Sequence, residues 1–235
     1  DLVSNSKNHI MKCFLKYQSR LVYKEEIKAF VNSRYIFFIS SKEMKHAQSV
    51  VEKLHYKSNF LPIYISPKDN LIKSDLNNVI LFSASFKWYP NQSAVEWFLK
   101  KCWNEILAYN NDITLVLAGN DPSGFAKQKS LEYPNVVSTG FVDSMYPFFI
   151  NATIYILPMI EGAGIKIKLL EALSYELPVV STNKGIEGFE DIKDVVEVAD
   201  SPINFVKAVI KLIDNEFIRD SYSKKSRNFL LLRKN

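Results

Sequence analysis

The sequence predicts an α/β protein: a doubly wound parallel sheet with helices on both faces, joined to a partial second α/β domain. Three observations predict it. From Val79 onward, short apolar runs alternate with stretches whose apolar residues recur at helical spacing, the pattern of strands buried on both faces and of the crossover helices that cover them. Nearly every run gives way to glycine or small polar residues, the types that suit the loops between strands and helices. Ahead of Val79 lies the most polar and turn-rich interval of the chain, Ser66-Pro67-Lys68-Asp69-Asn70, then Lys73-Ser74-Asp75 and Asn77-Asn78, which divides a unit over 1–70 from a larger domain over 71–235.

In order, residues 1–33 read as largely helical, because Ile10, Cys13, Phe14, Tyr17, Leu21, Ile27 and Phe30 recur at mostly helical spacing with Lys and Glu between them. Tyr35 to Ile39 is a compact apolar strand, Ser40 or Ser41 caps a helix running to about Tyr56, and Phe60 to Ile65 is a second short strand. In the larger domain the expected strands are Val79–Ala84, Ile113–Ala118, Val136–Phe141, Ile154–Leu157, Val179–Ser181 and Val195–Val198. The expected helices are Asn91–Ala108, with Asn91 suited to cap it, Phe125–Glu132, Met145–Asn151, Ile165–Tyr175 and Pro202–Asp214. In the helix from Ile165, the residues Ile165, Leu169, Ala172 and Leu173 make one apolar face, and Pro178 marks its end.

Composition bounds the function classes. The chain has 235 residues, 47% of them hydrophobic, enough for a real core. No apolar run approaches the roughly 18–20 residues of a membrane-spanning helix, and the N-terminal residues lack the apolar stretch of a signal peptide. The chain starts at Asp1, not Met, and is expected to be a piece of a longer protein. Cys13 and Cys102 stand far apart, with only His9, His46 and His55 for company, so no zinc-ligand spacing exists, and reduced thiols are the plainer reading. The net charge of +5 favours anionic ligands or an acidic membrane surface, but the lysines are spread and not interleaved with aromatics, which argues against nucleic acid.

The chemistry concentrates where such sheets bind ligands, in the crevice beyond the carboxyl ends of the strands. The first loop carries Ser85, Lys87 and Asn91; the next carries Gly119-Asn120-Asp121-Pro122; the third carries Gly140-Phe141-Val142-Asp143. The fourth, Glu161-Gly162-Ala163-Gly164, leads into a helix bearing Lys166, Lys168 and Glu171, and a fifth holds Thr182 to Gly188. Glycines admit a ligand close to the backbone, and the free N–H groups of a helix N-terminus attract phosphate. Lys168 and Glu171 stand three apart on one helix face, so either they form an exposed ion pair, or the lysine meets a diphosphate and the carboxylate accepts from sugar hydroxyls. The convergence of five loops favours the second.

The segments FSASFKWYPNQSAVEWF, LVLAGNDP, NVVSTGFV and ILPMIEGAGIKIKLLEALSYELPVVSTNKGIEG, in that order, resemble the donor-binding half of retaining glycosyltransferases of family 4, in the subgroup with a W-x-P-N and a G-x-G-x-K-x-K-x-x-E-A motif. The resemblance covers about residues 76–225 and implies a Rossmann-like C-terminal domain of the GT-B fold; residues 1–70 resemble the closing elements of the acceptor-side domain. It implies a nucleotide-diphosphate-sugar donor, a glycan or lipid-linked acceptor, retention at the anomeric carbon and no metal or other cofactor. It matches Glu171 to the ribose-binding glutamate, Lys168 to the basic residue facing the diphosphate, Gly162, Ala163 and Gly164 to the loop at the donor phosphate and sugar, and Gly140, Phe141 and Val142 to the region holding the base. Asn91 matches the asparagine of the first loop; Ser85, Gly119 and Lys166 complete the expected donor-binding set, and Lys168 and Glu161 are the expected catalytic residues. Two features depart from the family pattern: Glu161 and Glu171 are ten apart and not eight, and Ser83-Ala84-Ser85 replaces the usual glycine of the first loop. They leave a non-catalytic nucleotide- or protein-binding module of the same fold as the rival reading, with a sugar-nucleotide epimerase third. A cytoplasmic bacterial protein of polysaccharide biosynthesis is expected, with peripheral contact to the inner membrane face as one option for its basic N-terminal residues.

Overall fold

A computed structural model gives the structure over residues 9–72, 78–189 and 191–233. The chain forms two compact units, Asp1–Pro62 and Ile63–Asn235.

The smaller unit runs α1 (His9–Asn32), β1 (Ile36–Phe38), α2 (Ser41–Val50), a 3-10 turn (Glu52–Tyr56) and β2 (Ser58–Phe60). Ser40 caps α2 by accepting from the Glu43 N–H at 3.3 Å. β1 and β2 pair in parallel, the Phe30 and Phe38 rings meet at 5.8 Å, and Leu54 is fully buried. Lys57 Nζ donates to the Val31 and Ser33 carbonyls at 2.9 and 2.8 Å, tying the end of α1 to the turn before β2. Residues 1–8 of the expected first helix lie outside the described residues. The strand expected over Phe60–Ile65 is instead Ser58–Phe60. Pro62 has no N–H for a ladder, and Ile63 and Ile65 pack against the core of the larger unit.

The larger unit runs β3 (Val79–Ser83), α3 (Tyr89–Phe98), a π-helical turn (Leu99–Trp103), α4 (Asn104–Tyr109), β4 (Thr114–Ala118), α5 (Phe125–Glu132) and β5 (Val136–Gly140). It continues with α6 (Tyr146–Asn151), β6 (Ile154–Leu157), α7 (Ile167–Ser174), β7 (Val179–Ser181), β8 (Glu197–Val198), α8 (Pro202–Asp214) and α9 (Glu216–Leu232). Six strands pair in the order β5-β4-β3-β6-β7-β8, every pair parallel. This is the doubly wound sheet expected. Its order reverses between β3 and β6, and right-handed crossovers then place the helices of the two halves on opposite faces. All of β6 and β7 is buried, which is why those strands are apolar runs and not alternating ones.

Several boundaries differ from expectation for physical reasons. Asn91 does not cap α3: the helix starts at Tyr89 with Trp88 at the cap position and Pro90 in its first turn, and the Asn91 side chain is used elsewhere. α7 starts at Ile167, two residues late, because Lys166 holds a non-helical backbone. It ends at Ser174, well before Pro178, with Glu176 in the left-handed region and the Leu177 N–H returning to the Ala172 carbonyl. The last expected strand shrinks to two residues. α9 is unexpected; Asn215 caps it by accepting from the Ile218 N–H at 3.0 Å. From α9, Arg227 donates to Asp69 Oδ1 at 2.7 Å, to Glu176 Oε1 at 3.0 Å and to the Lys68 carbonyl at 3.3 Å. The Lys68 N–H donates to the Ser174 carbonyl at 2.8 Å. The first part of the polar interval is thereby clasped to α7 and α9, and residues 73–77 of it lie outside the described residues.

Candidate functional site

A cavity of about 370 Å³ opens at the carboxyl ends of the strands on the β3 side of the reversal. The end of β3 supplies Ser83 and the loop after it Ala84 and Ser85, the loop after β4 supplies Gly119 and Asn120, the loop after β5 supplies Phe141, Val142 and Met145, and α7 supplies Lys168 and Glu171. Gly119 sits at a φ of 130°, and a Cβ on it would overlap the Ala84 carbonyl oxygen. The two loops can therefore cross this closely only with glycine there. The Ala84 N–H reaches the Ala118 carbonyl at 2.9 Å and the Phe86 N–H the Asn120 carbonyl at 2.8 Å, which locks that crossing.

Lys168 is the centre of the site. Its Nζ donates to Asn91 Oδ1 at 2.8 Å and lies 4.6 Å from the centroid of the Phe82 ring. Asn91, itself buried, donates through Nδ2 to the Ser85 carbonyl at 2.8 Å, so the amide is held with its oxygen toward the lysine. Burial drives the Lys168 ammonium down to about 7; the nearby Lys166 charge pushes the same way and the Glu171 carboxylate opposes them. Glu171, one turn later, has its carboxyl raised by burial, against the pull of Lys68 and Lys168. Three ammonium groups and one carboxylate thus meet around α7, an arrangement with room for a ligand's negative charge.

Lys166 lies apart from the cavity. It is 5% exposed, and its Nζ donates to the Gly164 carbonyl at 2.6 Å and the Gly162 carbonyl at 3.2 Å. The lysine turns those carbonyls inward and shapes the glycine loop from beneath. Gly162, at a φ of 95°, would bring a Cβ to 3.1 Å from Pro90 Cβ and 3.4 Å from Trp88 Cη2. The W-x-P-N and G-x-G segments are therefore two sides of one contact. Beneath the site, Tyr155 is fully buried with its hydroxyl 2.9 Å from Ser83 Oγ. Its ring stacks on Phe149, which stacks on Tyr175 at 4.5 Å between centroids and 3° between planes.

Of the residues singled out in the sequence, Ser85, Gly119, Phe141, Val142, Lys168 and Glu171 line the one cavity, with Asn91 behind the lysine and Gly140 immediately before Phe141. Phe141 is 74% exposed at the rim, since β5 ends at Gly140 and releases it. Glu161, Gly162, Ala163, Gly164 and Lys166 form the neighbouring loop and do not line the cavity. Sequence reasoning placed Asn120 at the crevice only as part of the turn after β4, and missed Met145, the Phe82 ring and Lys68 as site residues. Lys68 lies in a polar stretch that gives no sign of reaching α7. Among the described residues no three His, Cys, Asp or Glu side chains come together to hold a metal, and no helix is long and apolar enough to cross a membrane.

Comparison with known proteins places this geometry. A protein of Klebsiella pneumoniae described as an uncharacterized 44.6 kDa protein in the cps region is 26% identical over 94% of the chain. The chain spans 61% of the length of that relative. TarM of S. aureus superposes with a TM-score of 0.68 at 12% identity, over 88% of this chain and 42% of TarM. WaaG, a glycosyltransferase involved in lipopolysaccharide biosynthesis, does so with a TM-score of 0.63 at 18% identity, over 83% of this chain and 57% of WaaG. Both are GT-B glycosyltransferases with Rossmann-like domains, and the likeness is one of fold. The family model described as "Glycosyl transferases group 1" matches residues 77–215, which include every loop of the cavity. The chain therefore belongs to the group 1 glycosyl transferases.

Proposed function

We propose that the cavity binds a nucleotide-diphosphate-sugar and that the protein to which this chain belongs transfers the sugar to a glycan or lipid-linked acceptor, with retention and without a metal. The observation that carries the reading is Lys168: a partly buried ammonium held by Asn91, at the start of α7, beside Glu171 in a cavity at the sheet's reversal. In this reading Lys168 meets the diphosphate and stabilises the charge that builds on it as the glycosyl bond breaks. Glu171 accepts from the ribose hydroxyls, Phe141 and Val142 flank the base, and Ser85 and the Gly119 backbone border the phosphates. Gly162, Ala163 and Gly164 face the sugar along a wall that Lys166 shapes, and Glu161 stands at its edge. The TarM structure, solved with UDP and α-GlcNAc-glycerol, supports the donor class, and the cps-region relative supports a polysaccharide acceptor.

Calorimetry with UDP, GDP and ADP, with and without EDTA, tests it. One of them binds in the micromolar to millimolar range, unaffected by EDTA, and Lys168→Ala and Glu171→Ala each weaken it. Absence of heat with all three at millimolar concentration overturns the reading.

A further inference from the structure

We propose that Trp88 is a specificity-determining residue: its half-exposed indole is the platform on which the pyranose ring of the donor stacks. The inference rests on the nucleotide-sugar reading above. Trp88 is 47% exposed, although it occupies the cap position of α3, whose third residue, Asn91, holds Lys168. The Asn91 N–H donates to the Trp88 carbonyl at 3.0 Å, which puts the indole one turn from the lysine's partner. The six-membered end of the ring lies against Gly162, beside Pro90. The indole thus has one edge within van der Waals reach of the glycine loop, and half of it remains open.

The order of groups gives this open surface its role. Because the sheet order is β5-β4-β3-β6, the loop after β5 with Phe141, Val142 and Met145 lies at one end of the cavity, and Ser85, from the loop after β3, lies at the other, linked through Asn91 to Lys168. With a base at the first end and a diphosphate at the lysine, the sugar has to leave the cavity toward the glycine loop, where Trp88 and Gly162 meet. A pyranose presents C–H groups on its faces and hydroxyls on its rim. An aromatic face, with its negative quadrupole, attracts the former and leaves the latter to the solvent or to backbone groups. The other two tryptophans cannot do this: Trp103 is fully buried with its Nε1 donating to the Pro134 carbonyl at 3.0 Å, and Trp97 packs edge-on to Phe205 at 5.5 Å.

The test compares the 235-residue wild-type chain with Trp88→Phe and Trp88→Ala, using UDP, UDP-glucose, UDP-N-acetylglucosamine, GDP and GDP-mannose as probes, with calorimetric affinity and tryptophan emission as readouts. At least one nucleotide sugar binds the wild type about threefold to tenfold more tightly than its own diphosphate, the size of one aromatic contact. That increment, and a change in emission seen with the sugar and not with the diphosphate, is kept in part by Trp88→Phe and lost in Trp88→Ala, while the diphosphate binds all three proteins equally. Retention of the increment by Trp88→Ala overturns the proposal, as does an equal loss of diphosphate affinity, which would mark Trp88 as packing for the loop. So does the absence of any increment in the wild type. Failure of every diphosphate to bind the wild type removes the nucleotide reading itself and the platform with it.

Discussion

Replacing Lys168 by methionine is expected to make the protein more stable and worse at binding. The ammonium is drawn from 10.5 to about 7, mainly by burial. At about 1.36 kcal/mol per unit, the charged form is disfavoured by about 4–5 kcal/mol relative to the neutral amine. Methionine keeps the length of the stem and removes that penalty. It also leaves the buried Asn91 Oδ1 without its donor, at a cost of about 1–3 kcal/mol. The net expectation is a gain of about 1–4 kcal/mol near pH 6, at about 2–4 °C of melting temperature per kcal/mol for a chain of this size. The sign of the pH dependence follows from protons bound. Between about pH 7 and 10.5 the unfolded lysine holds a proton that the folded one has lost, so this group makes the wild type more stable as pH rises through that window. The advantage of Lys168→Met in melting temperature should therefore be greatest below pH 7, shrink as pH rises and reverse near pH 10, where only the loss of the Asn91 partner remains. Binding should move the other way, with nucleoside diphosphates held about 10- to 100-fold less tightly, the loss of one charge-assisted hydrogen bond. Thermal melts at pH 6, 8 and 9.5 together with calorimetry provide the check. A variant that melts below the wild type at pH 6, or a gap that does not close as pH rises, would refute the assignment of Lys168 as a charge held against its own solvation.

Three further outcomes follow from the same geometry. Gly119→Ala forces a Cβ into the Ala84 carbonyl at a φ that alanine rarely adopts, and should cost about 3 kcal/mol or more in urea unfolding. Glu171→Gln should remove the preference for a ribose over a 2′,3′-dideoxyribose in diphosphate binding, about tenfold from one charge-assisted acceptor; because burial raises this carboxyl, wild-type discrimination should fade at a higher pH than an ordinary glutamate would allow as the solution is acidified. Lys166→Met removes the donor to the Gly162 and Gly164 carbonyls, and hydrogen exchange should show residues 161–166 opening faster while the strands keep their protection.

The sheet and its crevice were readable because burial on both faces writes strands such as β6 and β7 as apolar runs, and because loops that must cross closely write glycine. Phe125–Glu132 and Pro202–Asp214 fall where their patterns place them. What escaped is whatever depends on a distant partner. Asn91 has the chemistry of a helix cap, yet spends its amide on Ser85 and on Lys168, 77 positions away. Lys166 has the spacing of a solvated helix residue, yet turns under its own loop. α9 is polar and charged through its middle, from Arg219 to Asn228, and its buried residues, Ser226, Phe229 and Leu230, fall near its end, so its sequence shows no sustained apolar stripe. Nothing local to Trp88 tells that Gly162 will arrive at its edge.

The π-helical turn between α3 and α4 bears on how the chain can change length. A π turn holds one residue more than the α-helix needs over the same span. Leu99, Cys102 and Trp103 are buried in this turn, and the Trp103 indole N–H donates to the Pro134 carbonyl. Deleting one residue between Leu99 and Trp103 would restore an unbroken α-helix over the same span and leave the last six residues, Asn104–Tyr109, on nearly the same face. Asn91 and Trp88 lie two turns and more upstream and would not move. A family of sequences can therefore gain or lose a residue at this joint while both ends of the helix, the one that serves the cavity and the one that packs on the core, keep their faces.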